Sequence, residues 1–262
     1  MMHITADKVT PAIRSLFRSD EMVASRCFVV LDGAVGHGKI LVDDAVNPKW
    51  AVVQEAVDNC LFLGGKMDAT TFAEVFALLI QQGDVLIGLP LDDPRLSFLP
   101  PNPYYVGRVV ESYDRPIGKG LDAFLRRVPA GCKIERLNRH SIMRTEWGPD
   151  DVAFYGGIES WEKMCFGYGL MQGDEVLSEA TVGPPGMGIY EPGVFTHVDH
   201  RSKGYGTQVV ARLIQEIEAL GGRTFWNCDK QNLASVAISR KLGYRTQREY
   251  CCIAWKKQNG IN

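Results

Sequence analysis

The stretch Val194–Gly222, VFTHVDHRSKGYGTQVVARLIQEIEALGG, decides the fold. It opens with an apolar strand, Val194 to Val198, and turns through Arg201, Ser202, Lys203, Gly204, Tyr205 and Gly206. A helix follows at once. Val209, Val210, Leu213, Ile214, Ile217 and Leu220 recur at helical spacing and mark one apolar face. A strand, a glycine-rich turn and a helix start together make an anion site, because unpaired N–H groups converge there and the helix dipole adds positive potential. Gly204 and Gly206 are expected to let the backbone approach a phosphate closely. Gly221 and Gly222 supply the helix stop.

Working outward, Arg223–Asn227 (RTFWN) reads as a strand, and Asn232–Tyr244 (NLASVAISRKLGY) as a short helix closed by Gly243. Upstream, Lys133 to Leu137 is a first strand, and Pro149 to Tyr155 and Glu159 to Cys165 are short helices. Phe166 to Met171 and Val176 to Val182 form a hairpin around Gly173-Asp174. A final strand spans Tyr250 to Trp255.

An RxxGxG turn followed by NxxSxxIxxKLGY resembles the GCN5-related N-acetyltransferases (GNAT). The resemblance implies an α/β (α+β) fold with a mixed central sheet flanked by helices, and acetyl-CoA as co-substrate. It implies that Arg201, Ser202, Lys203, Gly204, Tyr205, Gly206 and Thr207 grip the pyrophosphate. Asn232 and Ser235, on the following helix, would flank the pantetheine arm, and backbone N–H groups near Phe195 and Thr196 would face the thioester carbonyl. EPGVFTHVDHRSKGYGT together with FWNCDKQNLAS is further similar to the two-part GNAT family that includes zwittermicin-resistance acetyltransferases. This implies acetylation of the primary amine of a small molecule, of antibiotic or amino-acid-like kind, by direct transfer in a ternary complex. Two alternatives stay open: a non-catalytic acyl-CoA sensor or interaction module, and an acyltransferase with a longer acyl donor or a protein N-terminus as acceptor.

An amine attacking a thioester must lose a proton, and the departing thiolate benefits from gaining one. Glu191, at the head of the strand before the turn, and Glu179, on the preceding strand, are the candidate bases. Glu191 matches the place where the family commonly sets a catalytic or water-relaying carboxylate. Ser239 stands where many members carry the tyrosine that acts as acid, which leaves the proton donor open.

The bulk numbers bound the rest. The chain has 262 residues, 45% hydrophobic and 23% charged, as in ordinary globular proteins. A net charge of −2 gives no general reason to bind nucleic acid or an anionic membrane. The N-terminus lacks an apolar core of signal-peptide length. Seven scattered cysteines point to reduced thiols and a cytoplasmic protein. Five dispersed histidines, with no HExxH or paired-Cys motif, argue against a metal site.

The first half divides less cleanly. CFVVLDG and KILVDD read as a hairpin, WAVVQEAVDNCLFLGG as a second strand pair, Ala69 to Gln82 as an amphipathic helix, and GDVLIGL and GRVVESY as strands. Gly33–Lys39 (GAVGHGK) matches GxxxxGK, but Ile40 replaces the magnesium-binding hydroxyl and a strand follows where a P-loop needs a helix. With Val128-Pro129-Ala130-Gly131 as junction, the expected domains are residues 1–130, a smaller α/β domain of unassigned role that is compatible with a degenerate GNAT-like half but shows no RxxGxG, and residues 131–262, the GNAT module. A homodimer stays open.

Overall fold

A similar order of elements recurs along this chain. The structure, a computed structural model, describes residues 1–17, 24–55, 59–118 and 120–257. The first run is β1 (Met2–Ile4), α1 (Pro11–Ser15), α2 (Ala24–Leu31), β2 (Lys39–Val42), β3 (Trp50–Gln54), β4 (Cys60–Gly65), α3 (Ala69–Ile80), β5 (Val85–Pro90) and β6 (Tyr105–Tyr113). After α4 (Asp122–Leu125), the second run is β7 (Cys132–Arg136), α5 (Gly148–Phe154), α6 (Ile158–Met164), β8 (Phe166–Gln172) and β9 (Glu175–Val182). It continues through β10 (Ile189–Tyr190), β11 (Gly193–Thr196), α7 (Tyr205–Ala219), β12 (Arg223–Thr224), β13 (Trp226–Asp229) and α8 (Leu233–Lys241) to β14 (Thr246–Trp255).

Each run places two helices between its first and second strands, and a long helix, α3 or α7, just before the second strand of its parallel pair. The pairing repeats as well. In the first run β1–β2, β2–β3 and β3–β4 are antiparallel and β4–β5 is parallel. In the second, β7–β8, β8–β9 and β9–β11 are antiparallel and β10–β12 is parallel. The parallel step requires a crossover, and α3 and α7 supply it.

Two compact units result, and they do not divide at the expected 130/131 boundary. One unit holds Met1–Glu111, Asp229–Gln231 and Arg248–Asn262; the other holds Ser112–Cys228 and Asn232–Gln247. The shifted boundary has a physical source. Tyr250–Trp255 of β14 pairs antiparallel with Pro90–Val85 of β5, so the last strand of the chain completes the first unit's sheet. Trp255 is 5% exposed and meets Phe76 of α3 edge-on at 5.2 Å. At the other end, Leu121 and α4 lie before the expected boundary yet pack into the core around α7.

In the second unit α7 seats the site. Val209, Val210, Leu213, Ile214 and Ile217 are fully buried against Tyr168, Leu170, Leu177 and Ala180 of β8 and β9. Each such side chain contributes about 1.5–3 kcal/mol of transfer free energy, which fixes the helix on the sheet. Leu220, assigned to that face by spacing, is instead 61% exposed, because the helix ends at Ala219 and Gly221 turns at φ +80°. The hairpin turns at Gly173, φ +58°, as its sequence demands. CFVVL, expected as a strand, forms part of helix α2. A short apolar run carries no period that separates the two states.

Candidate active site

The site is built where two parallel strands part. β10 and β12 pair for two residues, Ile189 with Arg223 and Tyr190 with Thr224, and the Phe225 N–H adds a bond to the Tyr190 carbonyl at 3.1 Å. Next along the chain β11 pairs with β9 and forms the edge of its four-stranded sheet. The expected RTFWN strand accordingly breaks into β12 and β13 at Phe225. At the parting, the Asn227 side-chain amide donates to Glu191 Oε1 at 3.3 Å. Glu191 is thus held between the two strand ends, half-buried. Nothing in the sequence had singled out Asn227.

The β11 edge presents backbone groups in alternation. The Phe195 carbonyl accepts from Ser178 Oγ at 2.9 Å, and the His197 N–H donates to the Leu177 carbonyl at 3.2 Å, both on β9. Residues of that parity face inward, so the N–H and C=O groups of Val194 and Thr196 face the free edge. Of the two residues expected to face a thioester carbonyl, Phe195 has its backbone turned to β9, and Thr196 shares the outward parity of Val194. The Thr196 carbonyl accepts from Arg201 Nε at 3.0 Å, which ties the turn to the strand.

The turn itself is exposed from Arg201 to Gly204. Ser202 (φ +62°) and Gly204 (φ +84°) are left-handed, and a Cβ on Gly204 would meet nothing within 4 Å. Gly204 caps α7 with no side-chain hydrogen bond, and no acidic residue stands in the first turn. The first N–H groups of α7 therefore have no capping side chain to accept from them, and the dipole is not offset by a carboxylate in that turn. Gly206 does something other than expected. It is helical and buried, and a Cβ there would lie 3.1 Å from Thr196 Oγ1 and 3.3 Å from Val194 Cγ2. Its role is the close approach of α7 to β11. Thr207 is only 4% exposed, so it offers its N–H and not its side chain. Tyr205 stacks on His200 at 6.2 Å between ring centres.

On α8 the expected residues are occupied locally. Asn232 caps the helix by accepting from the Ser235 N–H at 3.1 Å, and the Ser235 hydroxyl accepts from Trp226 Nε1 at 3.0 Å. Ser239 is 1% exposed and donates to the Val236 carbonyl at 2.9 Å, so its hydroxyl serves its own helix and is not presented as an acid.

Glu179 is 1% exposed and stands opposite Phe195 in the β9–β11 register. Its Oε2 accepts from the Glu146 N–H at 3.0 Å and its Oε1 from the Trp147 N–H at 3.2 Å. Burial pushes its pKa up, against the pull of these two N–H groups and of His197. In the helix that follows, burial, with Asp150 beside it, pushes Asp151 up to about 6.

The equivalent corner of the first unit is closed. Asp68 caps α3, its Oδ1 accepting from the Thr71 N–H at 2.8 Å, and holds a negative charge where α7 has Gly204. Beyond the short β4–β5 pairing, the Leu63 carbonyl accepts from Arg95 Nη1 at 2.8 Å. GAVGHGK leads from α2 into strand β2. Among the described residues no cluster of three or more His, Cys, Asp or Glu is placed to hold a metal ion, and no helix is long and apolar enough to cross a membrane.

The sequence profile of the family described as GNAT acetyltransferase matches residues 16–253. An uncharacterised N-acetyltransferase of Bacillus subtilis (strain 168), YdfB, is 29% identical over 128 residues, which are 47% of this chain and 48% of that protein. The match thus spans about half the length of that relative. Among solved structures, a GCN5-related N-acetyltransferase-like protein from Streptococcus suis 89/1591 superposes with a TM-score of 0.71 over 95% of this chain and 99% of the other, at 18% identity. A tandem GNAT protein from the clavulanic acid biosynthesis pathway superposes with a TM-score of 0.64 over 99% of this chain and 98% of the other, at 10% identity. These likenesses agree with the recurring order of elements.

Proposed function

The chain belongs to the GNAT acetyltransferase family, and from that premise we propose that its second unit moves an acetyl group from acetyl-CoA to the primary amine of a small molecule. The observation that carries this reading is the uncapped start of α7 beside the free edge of β11, with Glu191 at the parting of the strands. The residues present fit the co-substrate. A polyanionic pyrophosphate suits the left-handed Gly204 turn, the N–H groups of Tyr205 to Thr207, and the cations of Arg201 and Lys203. An amide-bearing pantetheine arm suits the outward backbone of Val194 and Thr196.

Acetyl-CoA supplies an activated thioester. The chain's own groups position the reactants and handle the protons. Glu191 takes the proton from the ammonium, directly or through one water, and the Asn227 amide holds its carboxylate in place. The outward N–H groups of β11 stabilise negative charge that develops on the thioester oxygen. Asn232 and Ser235 act by fixing α8 and Trp226. Transfer is direct, without a covalent enzyme intermediate. Ser239 takes no part, so thiolate protonation falls to solvent or to the acceptor's released proton.

The burial of Ser239 also favours a second reading, a GNAT-fold module that binds acyl-CoA without turnover. One experiment separates them. Thiol release from acetyl-CoA is followed against a panel of primary amines, with mass spectrometry of the products. Amine-dependent release with an added acetyl mass supports the enzyme. Tight acetyl-CoA binding with no release from any amine supports the binding module.

A further inference from the structure

Glu179 has been treated as a second candidate base, yet its surroundings assign it other work. Its two carboxylate oxygens accept the N–H groups of Glu146 and Trp147, consecutive residues immediately before α5. The Trp147 N-cap has no side-chain hydrogen bond of its own. A carboxylate from a different element therefore caps this helix entrance, and two converging N–H groups hold both its oxygens.

The residue whose backbone this clamp holds, Trp147, brings its ring to β11. Trp147 lies 5.7 Å from the Phe195 ring at an interplanar angle of 60°, and a Cβ on Gly193 would come within 3.3 Å of its Cζ3. Phe195 in turn meets His197 edge-on at 5.3 Å. Gly193 and Phe195 share one face of β11, with His197 just beyond the strand beside Phe195, and the opposite face carries Val194 and Thr196, which pack toward Gly206 of α7. One face of the strand thus serves the helix that presents the anion site, and the other carries an aromatic platform. Trp147 remains 40% exposed, whereas Trp50, Trp161, Trp226 and Trp255 are each 7% exposed or less. An indole left in water beside the reacting strand, on a backbone anchored by a buried carboxylate, is a preformed binding surface.

We propose that Trp147, positioned by Glu179 through the N–H groups of Glu146 and Trp147, is the specificity-determining wall of the acceptor site, and that the acceptor is a primary amine carrying an aromatic or flat apolar body. The body packs on Trp147 and Phe195, and the ammonium is drawn to the ring faces and to Glu191. Glu179 is a positioning residue and not the base. This rests on the acetyltransferase reading above.

The test has two arms. With 5-fluorotryptophan incorporated, the five tryptophans report separately by ¹⁹F NMR, and Trp147→Phe assigns one resonance. Glu179→Gln, which sets an amide N–H against a backbone N–H, is expected to move the Trp147 signal and leave the other four in place. Acetyl-CoA affinity by calorimetry should be unchanged. The second arm uses tyramine as the probe acceptor. Glu179→Gln and Trp147→Ala should each raise its KM by about 5–30-fold, the span of one or two lost contacts. The double variant should add little beyond either alone. The acid limb of the kcat/KM–pH profile should survive in Glu179→Gln.

An unmoved Trp147 resonance overturns the clamp, and a vanished acid limb makes Glu179 the base. Unaltered tyramine KM in Trp147→Ala, which removes an exposed ring and keeps the core, removes the wall. Turnover of other amines but not tyramine overturns the aromatic acceptor and leaves the acetyltransferase reading intact. No turnover of any amine sinks that reading and the acceptor wall together, while the NMR arm still decides the clamp.

Discussion

Asn227 donates its side-chain amide to Glu191 at 3.3 Å, which joins β13 to the segment linking β10 and β11 where the strands separate. A tethered carboxylate at that point can meet an incoming ammonium without first being ordered. Glu191→Gln keeps the shape and the tether but removes the basic oxygen. It should lower kcat/KM by roughly 10²–10⁴, the usual worth of one acid–base group, with acetyl-CoA affinity barely changed. The deficit should shrink as the pH nears the amine's own pKa, where free base forms unaided. Near-native turnover at pH 7 on a verified acceptor would remove Glu191 from the mechanism.

Gly204→Asp puts a negative charge at the uncapped start of α7, as Asp68 does at α3. Nothing lies within 4 Å of the new Cβ, so the fold should bear the left-handed strain of about 1–2 kcal/mol. Calorimetry should show acetyl-CoA affinity lower by about tenfold or more, the effect of opposing a helix-start anion site. Unchanged affinity in a folded variant would displace the phosphate from this turn. Gly206 suits the test less well, because a side chain there drives into Thr196 and Val194.

Acetyl-CoA should bind once per chain, since the first unit's corner carries Asp68 and Arg95 where the second has Gly204 and a free strand edge. Saturation at a hundredfold excess over Kd adds about 2.7 kcal/mol of stability and raises Tm by several degrees. Mg-ATP should give no shift. A calorimetric stoichiometry of two would reopen the first unit, and a shift with Mg-ATP would reopen GAVGHGK.

Asp151 sets a pH dependence. Its folded-state pKa stands near 6, against an ordinary 3.8, chiefly through burial. The folded chain therefore binds this proton more tightly than the unfolded chain does. Below about pH 4 both states are protonated and the residue costs nothing; the penalty grows through the interval and is complete above about pH 6. Asp151→Asn should raise Tm at pH 7.5, and the gain should vanish near pH 4. A gain independent of pH would point to packing instead of ionisation.

A fragment of residues 131–262 should not fold as a unit. It lacks Leu121 and α4, which pack on α7, and it carries β14 without β5, its partner in the first unit. Removal of residues 248–262 should likewise unfold the first unit, because Tyr250–Trp255 pairs along β5 and Trp255 is buried. Near-ultraviolet circular dichroism and amide NMR dispersion read both outcomes. A well-dispersed 131–262 fragment would restore the boundary expected at Gly131.

The elements legible in the sequence are those whose cause is local. The α7 register, the Gly204 turn, the Gly173 hairpin and the Asn232-led helix each follow from residues within a few positions of one another, where periodicity and capping act. The tertiary structure alone decided who meets whom. The period of β14 is plain, but its partner β5 lies far back along the chain, and no property of YCCIAW names it. Glu179 looks like a base in sequence because only the fold brings the N–H groups of Glu146 and Trp147 onto its oxygens. Gly206 resembled a phosphate glycine until the approach of β11 showed what its missing Cβ makes room for. Local chemistry is written in neighbouring residues; strand partners, buried carboxylates and close contacts depend on chain closure over long separations, which a one-dimensional pattern does not carry.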